Sequence, residues 1–314
     1  MRPNVGAARF GSAPVSPLGS GSLPCKCAVP DGVLPSCSSR AEPGRVEWGV
    51  LASHEMVVEI GGIPIRLLTR DPCFRKLLED RYSGFVGSDS SKGATLEVDL
   101  VPAGRVTEAD DVTVRLEDRK WVIERNDFHA TWDPRSRRGA VRQSPNPYSI
   151  DSTLRIVHTL LLSEEGGFLL HAASGIRNGT AFLFSGLSGA GKTTLSRLAP
   201  ADVTLLTDEI SYVRQERSGY RAYGTPFAGE LAKVGENVSA RVGALYFLAQ
   251  GIENRIEAVG PAEAARRLLR NILFFAKDPS LVNSLFDSAC RFVRRVPAYR
   301  LTFYPDERVW DLIR

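Results

Sequence analysis

A chain of 314 residues, 43% of them hydrophobic, has room for one large domain or two ordinary ones and the balance of a soluble globular protein. Its formal net charge of +4 is small for the length and no long basic run stands out, so nucleic acid is not expected as a partner. No apolar run approaches the roughly 20 residues that cross a bilayer, so no membrane is expected either. The five cysteines (Cys25, Cys27, Cys37, Cys73 and Cys290) lack the paired spacing and nearby histidines of a zinc site. A reduced, cytoplasmic protein is the simplest reading.

Residues 1–55 form the first segment. Up to about Glu47 they are rich in Gly, Pro and Ser and follow neither a period of two nor one of 3.6. Such a stretch cannot bury enough apolar surface to offset the entropy of ordering it, so a disordered tail is expected. No continuous apolar run follows Arg2 or Arg9, which argues against a signal peptide. Met56 opens the first regular pattern and could itself be the start of translation.

Residues 56–147 read as a small region of mixed helix and strand. Met56–Ile60 and Ile63–Leu68 flank Gly61-Gly62 as the arms of a hairpin. Pro72–Tyr82 carries Phe74, Leu77 and Leu78 at helical spacing, and strands are expected at Ala94–Val101, Val112–Leu116, Trp121–Glu124 and Phe128–Trp132. The alternation Val112/Val114/Leu116 predicts one buried sheet face. Arg135-Ser136-Arg137-Arg138 reads as a solvated loop.

Residues 148–314 carry the chemistry. A helix is expected over Ser149–Glu164, with Ile150, Leu154, Val157 and Leu161 on one face and Gly166-Gly167 as its stop. The strand Phe168–Ser174 then turns at Asn178-Gly179 into Phe182–Ser185, which should lie beside it. Next comes Gly186-Leu187-Ser188-Gly189-Ala190-Gly191-Lys192-Thr193-Thr194, which has the spacing of a Walker A phosphate loop. Gly186, Gly189 and Gly191 let backbone N–H groups curl toward phosphate oxygens, and the helix that follows adds its positive end. Lys192 can reach the β- and γ-phosphates and the Thr193 hydroxyl can ligate Mg²⁺. Sixteen positions on, Val203–Thr207 delivers Asp208-Glu209 to a strand end, as a Walker B segment does. That interval allows one short helix and one strand. Arg241–Ala249 reads as a central strand, and helices follow from Pro261 and over Leu281–Val293. The helix arginines, among them Arg266, Arg267 and Arg291, read as solvated, whereas Lys233 and Arg241 are better placed near nucleotide.

His171, the strand–turn–strand, the Gly-x-Ser-Gly-x-Gly-Lys-Thr loop and Asp208-Glu209 resemble the core of HPr kinase/phosphorylase, a fold shared in outline with ATP-dependent phosphoenolpyruvate carboxykinase. Gly224–Glu230 and Val296–Leu301 resemble divergent bacterial members of that group. The resemblance covers about Phe168–Arg314. It implies an α/β P-loop core of HPr-kinase/carboxykinase type, preceded by the β-rich region and the disordered tail. It further implies ATP and Mg²⁺ as cofactors, held by residues 186–194 with Thr193 and Glu209 at the metal. Asp208 would be the base that accepts a substrate hydroxyl proton, Lys192 would act on the phosphates, and His171 would line their site. The implied activity is an ATP-dependent serine kinase acting on a protein or peptide. A Leu-Glu-x-Arg-Gly-x-Gly-like signature is missing after Glu230, which argues against HPr itself as substrate. Two other readings stand beside the kinase: a nucleotide-binding regulatory or assembly module, and a small-molecule phosphotransferase. Whether the chain forms a homo-oligomer stays open.

Overall fold

Gly61 and Gly62 sit at φ of 63° and 71°, the left-handed pair that a two-residue hairpin needs, so β1 (His54–Ile60) folds back onto β2 (Ile63–Thr69). The computed structural model describes residues 53–87, 93–102, 111–227, 229, 231 and 235–314. The expected tail therefore lies outside the described residues apart from its last three, and β1 begins two residues before Met56. Residues Leu51–Arg314 form one compact unit.

Helix α1 (Pro72–Arg81) starts where the Asp71 carboxylate accepts the Phe74 N–H at 2.8 Å, with Pro72 in the first turn. Phe74 and Leu78 are buried, but Leu77 faces water. Strands β3 (Ala94–Leu100), β4 (Thr113–Glu117), β5 (Lys120–Arg125), β6 (Phe128–Asp133) and β7 (Arg138–Gln143) complete a sheet ordered β1-β2-β3-β7-β6-β5-β4. Two expectations fail here. Arg138 opens a strand instead of closing a loop, because β7 pairs with β3 on one side and β6 on the other, and two ladders outweigh local charge. β4 lies at the sheet edge on β5 alone, so Val112 and Val114 are only half-buried and Leu116 is exposed.

Asn146 caps α2 (Pro147–Glu164), accepting the Tyr148 N–H at 2.8 Å. The expected boundary at residue 148 falls in the first turn of this helix. From Ser149 to Leu162 the helix is buried nearly all round, because it packs on α1, on β6 and β7 of the first sheet, and on the second sheet and α5.

The second sheet holds β8 (Phe168–Arg177), β9 (Thr180–Ser185), β10 (Val203–Thr207), β11 (Ile210–Glu216), β12 (Gly219–Tyr223), β13 (Ser239–Gln250), β14 (Arg255–Ala258) and β15 (Ala298–Phe303). Helix α3 (Lys192–Arg197) follows β9, and α4 (Pro261–Leu269) and α5 (Pro279–Arg295) lie between β14 and β15. As expected, Asn178 and Gly179, at φ of 51° and 74°, turn β8 into β9. β10 and β11 run in succession along the other edge of β8, both antiparallel to it. Pairing then passes from β11 to β12, to β13, to β9 and back to β8, so these five strands close on themselves. β13 is central, as read from sequence, with β15 parallel beside it.

One core runs beneath both sheets, and the Gly61 turn joins them. A Cβ on Gly61 would lie 2.1 Å from the Tyr212 ring, and Arg214 donates to the Gly61 carbonyl at 2.6 Å. A second cluster gathers Phe182, Phe184, Leu195, Tyr246, Phe303 and Trp310 under α3. Among the described residues no helix is long and apolar enough to cross a membrane.

Candidate functional site

The phosphate-loop sequence occupies the turn between β9 and α3. Ser185 is fully buried at the end of β9, and the Ala190 N–H closes the turn onto the Leu187 carbonyl at 3.0 Å. Gly189 and Gly191 take φ of 79° and 104°, where a side chain would strain the backbone. Gly191 is required twice over, since a Cβ would also sit 2.6 Å from Cζ of Phe303. Ser188 is exposed at the tip, Ala190 is half-buried, and Thr193 and Thr194 lie in the first turn of α3. Lys192 is 8% exposed, and its Nζ donates to the carbonyls of Gly186 at 2.9 Å and Leu187 at 3.3 Å. The ammonium is thus folded into the loop that precedes it. At six residues, α3 is the short helix that the interval to Asp208 allows.

Asp208 and Glu209 fall at the break between β10 and β11. The register against β8 shifts between Leu205 and Thr207, and the Thr207 Oγ1 accepts the N–H groups of Glu209 and Ile210, each at 3.2 Å. The acidic pair was expected on a strand running next to the loop strand. Instead β8 separates the two: Ala172 pairs with Ser185 on one edge and donates its N–H to the Glu209 carbonyl at 2.9 Å on the other. Asp208 is 5% exposed, and its two carboxylate oxygens accept the N–H groups of Gly229 and Leu231, both at 2.9 Å. It anchors the segment after β12 to the end of β10. Glu209 is half-buried beside it.

His171 stands on β8 at this level, half-buried. Its backbone is fixed on both sides, its N–H donating to the Asn271 carbonyl at 2.7 Å and its carbonyl accepting from the Ser185 hydroxyl at 3.3 Å. Burial, with the positive charge of Lys192 adding to it, lowers the imidazole pKa to about 4. His171 therefore stands beside the end of the loop strand, near enough to Lys192 to feel its charge. Arg241 does not: it pairs with Thr180 at the start of β9, the end away from the loop. Lys233 and Glu230 lie outside the described residues.

Three supports of the loop were missed from sequence. Gln250, ending β13, donates its amide to the Gly189 carbonyl at 2.7 Å; Phe303, ending β15, fills the space beside Gly191. Trp310 donates its indole N–H to the Leu195 carbonyl of α3 at 3.2 Å. No local pattern marks these residues, whereas Thr207 before Asp208 is a legible turn signal. An open cleft of about 860 Å³, lined by Glu165, Arg214, Arg217 and Arg291, lies at the far end of β11.

The profile of one protein family, described as SynChlorMet cassette protein ScmC, matches residues 146–314, more than half of the chain. The chain belongs to the ScmC family. The matched span opens at the cap of α2 and contains the loop, the acidic pair and their supports. No curated protein matches the chain. Membership of the ScmC family corrects the resemblance to HPr kinase/phosphorylase, and with it the protein-serine kinase activity that the resemblance implied. The strings that carried it, a glycine-rich loop and an acidic dipeptide after a strand, are short and local. Strings this short recur on unrelated backbones, so they do not fix a lineage. The description of the ScmC family names a cassette and no reaction.

Proposed function

We propose that the chain binds a nucleoside triphosphate, ATP with Mg²⁺, in the Gly186–Thr194 loop, and that occupancy acts as a regulatory or assembly signal toward a protein or peptide partner. The observation that carries this reading is the buried Lys192, whose Nζ sits on the carbonyls of its own loop. An arriving phosphate offers charged oxygens in place of neutral carbonyls, and a charge-assisted bond is roughly twice as strong as a neutral one. The glycines at positive φ leave the tip open, since a Cβ on Gly189 would meet nothing within 4 Å. The donor set also suits the metal. Mg²⁺ takes hard oxygens and keeps several from water and phosphate, so the Thr193 hydroxyl and the Glu209 carboxylate suffice as protein ligands. Bound there, the cation would neutralise phosphate charge.

Asp208 favours a signalling role. Its carboxylate holds the backbone of Gly229 and Leu231, two and four residues beyond buried Phe227, whose ring lies 4.9 Å under the Arg155 guanidinium of α2. A change beside Asp208 would act close in sequence to the Phe227–Arg155 contact with the helix that packs on both sheets. Titration calorimetry with ATP, with and without Mg²⁺, tests the reading. Saturable binding that Lys192→Ala weakens by about a hundredfold supports it, and unchanged affinity in a folded Lys192→Ala variant overturns it.

A further inference from the structure

The strand order gives the phosphate loop two unlike flanks. On one side, across β8, lie Asp208 and Glu209; on the other lie the ends of β13 and β15, both parallel to β9. A metal-bound terminal phosphate belongs on the carboxylate side, so a nucleotide in the loop must extend its nucleoside toward the β13 and β15 ends. Those ends are tied to the loop by the Gln250 amide on Gly189 and by Phe303 beside Gly191. They are also tied to each other. The Gly251 N–H donates to the Phe303 carbonyl at 3.0 Å, the Tyr304 N–H to the Asn254 Oδ1 at 2.9 Å, and the Asn254 amide to Asp306 at 3.1 Å. This braced rim presents large apolar side chains to water: Ile252 is 95% exposed and Tyr304 50%, with Leu187 of the loop 67% exposed.

We propose that Ile252 and Tyr304 form the seat of the nucleobase, the rim against which a purine or pyrimidine stacks while the loop holds the phosphates. The inference rests on the phosphate-loop reading above and adds the base-binding half of the site. An aromatic ring and a branched alkyl chain suit any base face, because stacking needs a π-surface and not a hydrogen-bond code. The rim therefore contributes affinity for nucleotides in general over bare polyphosphate.

The experiment compares ATP with inorganic tripolyphosphate, each with Mg²⁺, on the full chain by calorimetry, for wild type and for Ile252→Ala and Tyr304→Ala. Both positions are exposed, and melting curves check that the variants fold. Wild type should bind ATP more tightly than tripolyphosphate. Each variant should lose about tenfold in ATP affinity and keep its tripolyphosphate affinity, so the ratio collapses. If wild type binds both equally, or the variants leave the ratio unchanged, the base seat is wrong and the phosphate loop stands. If wild type binds neither, the phosphate-loop reading fails and the base seat fails with it. Light scattering supplies a last arm: variants that shift the oligomeric state and leave the ratio intact would assign the rim to a protein contact and overturn the proposal.

Discussion

The two sheets satisfy their buried charges differently. Around the first, charge meets charge through side chains: Asp151 pairs with Arg81 and accepts from the Tyr82 hydroxyl, and Asp127 accepts from Arg125 at 2.8 Å and Ser149 at 2.6 Å. Burial and the Asp151 charge together hold the Tyr82 hydroxyl well above its usual range. In the second sheet Arg177–Asp202 and Arg214–Glu165 also pair through side chains, but two buried charges have backbone partners as well. Lys192 rests on the carbonyls of Gly186 and Leu187, and Asp208 on the N–H groups of Gly229 and Leu231. A side-chain pair is a finished structural bond that breaks only at large cost. A charge seated on peptide dipoles can exchange them for a ligand or pull a loop with it. The first arrangement builds a scaffold, and the second is the part that would respond to a ligand under the function proposed above.

The largest expected effect breaks the scaffold. Asp151→Ala strands Arg81 and the Tyr82 hydroxyl and should cost about 3 kcal/mol, allowing for the partial exposure of Arg81; urea denaturation of wild type and variant measures it. A loss under 1 kcal/mol would show that the pair is not a fixed bond. Lys192→Ala comes next and tests the contrast from the other side. It should lower ATP affinity by about a hundredfold, near 2.7 kcal/mol, and leave urea stability nearly unchanged. Equal losses of stability and affinity would mean that Lys192 is scaffold too.

Acid sharpens the comparison further. The His171 pKa falls from 6.5 to about 4 in the fold, first through burial and then through Lys192. The unfolded chain therefore takes up a proton before the folded one does, and stability is lost as pH falls from 6.5 toward 4. Fully buried His158, lowered to about 3 by burial and then by Arg214, adds to the same slope. Replacing His171 with Gln should remove about 1 kcal/mol per pH unit of that slope at most, discounted for water contact. Melting temperatures of wild type and variant between pH 4 and 7 give the difference, and parallel curves would refute it. The smallest effect belongs to Gln250→Ala, which removes one brace from Gly189. ATP affinity should fall about threefold with stability within 0.5 kcal/mol, roughly one solvent-exposed hydrogen bond, as calorimetry and urea titration can read.

What was legible in the sequence was local. The turns at Gly61-Gly62 and Asn178-Gly179 are written in residues that tolerate positive φ, and the start of α1 in Asp71 followed by Pro72, whereas α2 and α5 begin two residues before the expected Ser149 and Leu281, at prolines behind Asn146 and Asp278. The glycines and Lys192 could be found because their spacing is itself the geometry of the loop. What escaped depends on partners distant in the chain. The arginine-led β7 is a strand because two neighbours pair with it, and β4 is half-exposed because only one does. The strand between the loop and the acids is set by a register across β8 that no short window contains. The kinase reading went wrong for a related reason: motif residues constrain the chemistry of a ligand, while family membership is carried by the whole span from 146 to 314.

The bond from Trp310 to Leu195 spans 115 positions of chain. During synthesis α3 emerges long before its indole clamp exists. At ribosomal speeds of about 5–20 residues per second, roughly 6 to 23 s pass between the two. The nascent protein thus carries α3 without its indole bond for that interval, although Gln250 of β13, which braces Gly189, arrives earlier. The last bond to α3 is therefore timed by translation of the segment beyond β15.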